Sequence, residues 1–353
     1  MSILGSGTYG CVYKSPGLLC GNKEIDERHK GKTLVTKLLL RRYMDPEVEA
    51  AAVLNVIDPY QQYTIYALLD TVCTPTVAQA ETCKATQKDP QNAVMFKMHA
   101  GDLTYDFLLD NIDLYVYPQG ELIFLWHAIH LFEALVKLHK AGLYHLDIKP
   151  NNVILTTFSN RTVLPRLIDF GISFDSKKHP TWNDALRRLA RFIHKPYAIA
   201  PPENQALMSY KNDPDLINYK DWVNETSKVD PNYIPWLMYY DVNTSFAVIK
   251  EIINVDMKRI NTNKDIQAVH NLFAANDVYT LSSLFLSGLT GSVSQIWRVL
   301  KDGINPDYRL RPTAEQMLRN LEAIPITRSE ITSLARIPEI PNLPYLTRPY
   351  VGY

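Results

Sequence analysis

Apolar and polar positions change rhythm near residue 100 of this chain. Before it, short apolar runs alternate with glycine-rich or polar turns: Ile3-Leu4, Val12-Tyr13, Thr33 to Leu40, Thr64 to Val72 and Ala93 to Met98. Such runs, rich in β-branched residues and bounded by turn residues, predict strands. The polar stretches from Gly21 to Gly31 and from Cys83 to Asn92 predict loops between them. One helix interrupts this half. Asp45-Pro46-Glu47 combines a capping residue, a first-turn proline and an acid, and predicts a helix from Glu47 to about Ile57 with Val48, Ala52 and Val53 on its apolar side. Further on, Leu125, Ile129, Phe132, Leu135 and Leu138 recur at helical spacing and predict a long helix from Gly120 to Ala141. Val153-Ile154-Leu155 and Arg166-Leu167-Ile168 read as short strands flanking a turn, and another helix is expected near Phe246 to Met257. The pattern is α+β, with a β-rich first part and a helical remainder.

Candidate chemistry concentrates where the long helix ends. His145-Leu146-Asp147-Ile148-Lys149-Pro150-Asn151-Asn152 is followed, 17 residues after Asn152, by Asp169-Phe170-Gly171. That stretch holds a proton acceptor (Asp147), a phosphate-neutralising cation (Lys149) and two oxygen ligands for Mg²⁺ (Asn152, Asp169), the set that phosphoryl transfer needs. Upstream, Gly5, Gly7 and Gly10 lie in Leu4-Gly5-Ser6-Gly7-Thr8-Tyr9-Gly10-Cys11-Val12. Phosphates need backbone N–H groups brought close, and side chains there would obstruct the approach. Lys37 sits on the next predicted strand, and Glu47 and Glu49 on the helix after it are both candidates to orient it; both also suit a helix N-terminus as solvated acids. Glu49 is preferred, because Val53 stands one turn later.

The order glycine loop, lysine, Asp-x-Lys-x-x-Asn, Asp-Phe-Gly resembles the eukaryotic-type protein kinase family from about Leu4 to about Leu318. The resemblance implies a bilobal fold: a small β-rich lobe over residues 1–99, a larger helical lobe over 100–325 and a proline-punctuated tail over 326–353. It implies ATP bound by Leu4, Gly5, Ser6, Gly7, Thr8, Tyr9, Gly10, Val12, Lys37, Glu49, Met95 (at the back of the adenine pocket) and Ile154, with Mg²⁺ on Asn152 and Asp169. It implies catalysis by Asp147 with Lys149, and a Ser/Thr-bearing protein as substrate. Asp277-Val278-Tyr279 resembles the helix start whose aspartate holds the catalytic-loop backbone, and Ala200-Pro201-Pro202-Glu203 resembles the end of the activation segment, whose glutamate would pair with Arg311. Within the family, the start of the chain resembles the divergent Ser/Thr kinases of large DNA viruses.

The sequence also departs from the family pattern. Leu146 stands where most relatives carry an arginine that receives an activation-loop phosphate, and leucine has no donors for one. Activity is therefore expected not to depend on such a phosphate. The usual threonine before Ala-Pro-Glu is replaced near Pro196 or Tyr197, and Arg187, Arg188 and Arg191 gather on one side of an expected helix. About 70 residues, 204–275, form an insertion that could dock a partner. The alternative function is a nucleotide-binding pseudokinase scaffold acting through that insertion, against which Lys37, Asp147, Asn152 and Asp169 are all present.

Bulk properties change little. Lys+Arg and Asp+Glu both number 37, so the zero net charge gives no signal for nucleic acid or an anionic membrane. Cys11, Cys20, Cys73 and Cys83 form no metal-binding spacing and read as reduced thiols of an intracellular protein, in host cytoplasm or virion if viral. No secretory leader is expected, and no stretch of about 18 apolar residues that would span a membrane.

Overall fold

The computed structural model describes residues 2–7, 9–14, 18–20, 33–111, 120–157, 163–185, 201, 240, 247–248, 251–257, 262–289 and 294–325. They divide into two compact units, one drawn from 1–110 and 151–173 and the other from 111–150 and 174–335. A β-strand N-terminal region and a helical C-terminal region make the α+β architecture expected for a kinase-like fold.

In the first unit, β1 (Ile3–Ser6), β2 (Gly10–Tyr13), β3 (Leu34–Leu40) and β4 (Ala93–His99) form an antiparallel sheet in that order. Register pairs Val12 with Lys37 and Lys37 with Phe96, so these three share one face. Cys11, Leu38 and Met95 align on the other face, where Tyr13, Leu18, Ala80, Cys83 and Ala93 join them in a buried cluster. The reduced-thiol reading is corrected here. The segment after Cys73 folds over this face, and two disulfides, Cys11–Cys83 and Cys20–Cys73, tie it down. The expected strand Thr64 to Val72 is corrected too. Ile65, Tyr66 and Ala67 are buried, but the backbone forms only isolated bridges, Thr64 to Leu167 and Cys73 to Met95, around a 3-10 turn at Leu69–Thr71. Burial, not strand pairing, makes that run apolar.

α1 (Arg41–Ile57) leaves β3 directly, so Asp45-Pro46 is not its start. Pro46 lies inside the helix, at the cost of one backbone hydrogen bond. The short α2 (Val77–Ala80) is closed by a Thr76/Gln79 capping box. A second sheet of this unit orders β5 (Leu103–Thr104), β7 (Val153–Thr157) and β8 (Val163–Leu167), and α3 (Tyr105–Asn111) follows β5.

In the second unit, α4 (Gly120–Ala141) packs against α7 (Ala314–Glu322) and α5 (Ile266–Gly288), and α5 against α6 (Gln295–Gly303). β6 (Leu143–Tyr144) pairs with β9 (Phe174–Asp175). Among the described residues one helix, Leu122–Ala141, is long and apolar enough to cross a membrane by length and composition alone, but it is mostly buried, as a core helix is, so no clear membrane span emerges. α5, capped by Asp265, begins well before Asp277, which is therefore helix interior. Of the helix expected near Phe246 to Met257, Ile252–Met257 is π-helical, and Val248 and Ile252 pack into a cluster with Leu146, Phe174 and Phe273. Most of the 204–275 insertion and all of the tail from 326 lie outside the described residues.

Candidate active site

β3 brings Lys37 to the sheet face shared with Val12, and α1 presents a carboxylate to it. That carboxylate belongs to Glu47: its Oε1 pairs with Lys37 Nζ, correcting the preference for Glu49. The reason is helical phase. Glu47, Ala50, Ala51 and Leu54 form the buried stripe of α1, at the i, i+3, i+4, i+7 spacing, and Glu49 lies off it. A second carboxylate, Asp169 Oδ1, accepts from Lys37 Nζ at 2.9 Å. Side-chain exposure is 12% for Lys37, 5% for Glu47 and 38% for Asp169, so Asp169 is the member open to a ligand. Burial works against the Lys37 ammonium, but the charges of Asp169 and Glu47 outweigh it and hold its pKa above the usual lysine value. Burial pushes Glu47 up to about 7; Lys37 opposes that rise and the charge of Asp169 adds to it.

The β7–β8 hairpin brings the backbone of one candidate metal ligand beside that of the other. Val153 pairs with Leu167, and Ile168 N–H donates to the Asn152 carbonyl at 3.0 Å, so Asn152 sits beside the residue preceding Asp169. Asp169 holds a left-handed backbone, φ 64°, a strained conformation of the kind kept at functional sites. A Cβ on Gly171 would lie 3.3 Å from both Asp169 Oδ1 and Glu47 Oε1, a close approach that would press on both carboxyl groups. Lys37 is thus a single ammonium held between two carboxyl groups. Asn152 and Asp169 offer the hard oxygen donors that Mg²⁺ takes, usually one or two from protein with the rest from phosphates and water. The residues present thus fit that ion, although the described residues contain no group of three metal-binding side chains.

The glycine turn is closed by Gly7 N–H to Gly10 C=O at 2.9 Å, and nothing lies within 4 Å of where a Gly7 side chain would begin. Gly5 and Ser6 complete β1 beside Leu4, and the Tyr9 ring meets that of Tyr43 at a tilt of 57°, with centroids 4.9 Å apart. Thr8 lies outside the described residues. Ile154, on β7, packs against Gly101. Met95 is not where it was expected: the two-residue period of β4 turns it to the disulfide face, opposite Lys37. Strand alternation puts Val94, Phe96 and Met98 on the face of Lys37, with Phe96 directly opposite it.

The second unit carries Asp147 and Lys149. Lys149 Nζ lies 2.9 Å from Asp147 Oδ2 and 3.2 Å from Oδ1. Their loop hangs from Asp277, whose buried carboxylate accepts from His145 N–H at 2.8 Å and Leu146 N–H at 2.7 Å and meets His139 Nε2 at 3.1 Å. Leu146, at φ 69°, buries its side chain in the cluster with Phe174 and Phe273. Arg311 bonds the carbonyls of Asn305 and Ala275 and stacks over Tyr279. Its expected partner Glu203 lies outside the described residues, as do Pro196, Tyr197, Arg187, Arg188 and Arg191.

No protein-family model matches the chain. Among curated proteins it is similar to serine/threonine-protein kinase dkf-1 of Caenorhabditis elegans, 26% identical over 168 residues, which are 48% of this chain and 20% of that protein. The Caenorhabditis briggsae dkf-1 is also 26% identical over 168 residues, 19% of its length. Serine/threonine-protein kinase chk-2 of Caenorhabditis elegans is 37% identical over 57 residues, 16% of this chain and 12% of that protein. The chain thus spans one-fifth or less of the curated relatives it matches. The similarity is to serine/threonine protein kinases.

Proposed function

We propose that this chain is an ATP- and Mg²⁺-dependent serine/threonine protein kinase that passes the γ-phosphoryl of ATP directly to a protein hydroxyl. The observation that carries this is Lys37 held between Glu47 and Asp169, an oriented cation for phosphate oxygens beside the backbone turn at Gly7. Asn152 and Asp169 would hold Mg²⁺, which when bound neutralises phosphate charge. Asp147 orients the substrate hydroxyl and takes its proton as the oxygen bonds to phosphorus and ADP departs. Lys149, already on Asp147, neutralises charge on the transferred group. The test is label transfer from γ-labelled ATP by wild type, Asp147→Asn and Lys37→Met. Label on serine or threonine in wild type alone is expected; transfer by Asp147→Asn at the wild-type level overturns the reading.

Independence from activation-loop phosphate belongs to the same reading. Leu146 is committed to an apolar cluster. Ser173 donates to Phe170 C=O at 2.8 Å, Ser176 to Gly142 C=O at 2.9 Å, and Thr181 to the Asp184 carboxylate. Alanine at each of these is expected to keep transfer within about threefold; a tenfold or larger loss that an acidic substitute restores contradicts it.

A further inference from the structure

The turn that follows α1 is organised around one buried acid that the chemistry above does not use. Asp58 caps the helix, its N–H donating to Leu54 C=O at 2.8 Å. Its side chain then gathers the chain ahead of it: Oδ1 accepts from Gln62 N–H at 2.8 Å, and Oδ2 from Tyr63 N–H at 3.0 Å, Thr64 N–H at 2.9 Å and the Thr64 hydroxyl at 2.8 Å. Gln61 takes a left-handed φ of 52° to make this possible. Three successive N–H groups around one carboxylate form an anion nest whose anion comes from the chain itself.

The turn so shaped docks on β8. Leu167 N–H donates to Tyr63 C=O at 2.9 Å, Ile65 N–H to Leu167 C=O at 2.8 Å, and Arg166 Nη1 to Gln61 C=O at 3.0 Å. Arg166 is itself buried and also bonds the Thr156 hydroxyl. Leu167 stands two residues before Asp169. The first half of α1 therefore carries Glu47 to Lys37, and its C-terminal end is tied to the strand that delivers Asp169 to the same lysine.

We propose that Asp58 is a positioning residue: by shaping the 58–64 turn it sets α1 against β8, and so the geometry of the Lys37–Glu47–Asp169 cluster. This rests on the kinase reading for its effect on rate, but not for its effect on structure. The test uses the full chain with Asp58→Asn, which keeps size but puts a donor among donors, and Thr64→Val, which removes one hydroxyl donor and leaves the acid. Hydrogen exchange is expected to rise at residues 62–68 and 163–171 in Asp58→Asn, and less in Thr64→Val, while α5 of the second unit is unchanged. Uniformly faster exchange, or none at 163–171, overturns the proposal whether or not the protein transfers phosphoryl groups. In the transfer assay, Asp58→Asn is expected to lower kcat about ten- to a hundredfold. In a Glu47→Gln background the further loss should be less than about threefold, because both changes act through one cluster. Full additivity overturns the proposal. A wild type without transfer contradicts the kinase reading alone, and the exchange result then decides on Asp58.

Discussion

Glu47 and Glu49 stand two positions apart on α1, and what separates them is phase rather than chemistry. The motif around Lys37 could be read locally, but the choice of its partner depends on where the helix begins and which stripe it buries. Val53 served as the guide because it stands one turn after Glu49, whereas Ala50, Ala51 and Leu54, in phase with Glu47, mark the stripe that α1 buries. Asp277 was legible for its catalytic-loop contacts only through the resemblance of Asp277-Val278-Tyr279, and it lies inside α5 rather than at a helix start; its buried carboxylate is satisfied by the His145 and Leu146 N–H groups. Asp277→Asn should therefore cost about 2 kcal/mol, since an amide turns one acceptor into a donor facing N–H groups. Urea denaturation measures this, and an unchanged midpoint would show that the contacts are not holding the loop.

Among elements, the first β-sheet and α4 followed from the apolar pattern, whereas the starts of α1 and α5 and the 64–72 run did not. The run from Thr64 to Val72 is apolar because it is buried, yet its backbone is taken up by Asp58, Leu167 and Lys97 at scattered points. Long-range pairing of that kind leaves no period to read. The link from β4 to β5 is tight: a Cβ on Gly101 would lie 1.7 Å from Ile154 Cγ2. Gly101→Ala should lower stability by about 1–3 kcal/mol, and adding Ile154→Ala should recover part of it; equal melting of Gly101→Ala and wild type would contradict the packing. Cysteine pairing was equally hidden, because the spacing 11, 20, 73, 83 does not say which segment folds over which. The Cys11–Cys83 crosslink closes a loop of 72 residues. Replacing both with serine should destabilise the first unit by about 4 kcal/mol, seen as an earlier thermal transition without added reductant. A transition unmoved by the double replacement would mean that the crosslink does not contribute.

For the molecule as a whole, composition and zero net charge decided little, while the order of motifs along the chain decided the fold. Those motifs are short and lie in turns whose chemistry is carried by a few consecutive residues, so they can be read without tertiary information. Met95 could have been placed by strand alternation, whereas the roles of Glu47 and Asp58 required packing. The central claim is that Lys37, Glu47 and Asp169 form the phosphate-handling cluster of a protein kinase. The direct measurement is transfer from γ-labelled ATP by Glu47→Gln and Glu49→Gln beside wild type. The account predicts a loss of about a hundredfold or more for Glu47→Gln and a change within about threefold for Glu49→Gln. Wild-type transfer by Glu47→Gln, or equal losses in the two variants, would contradict it.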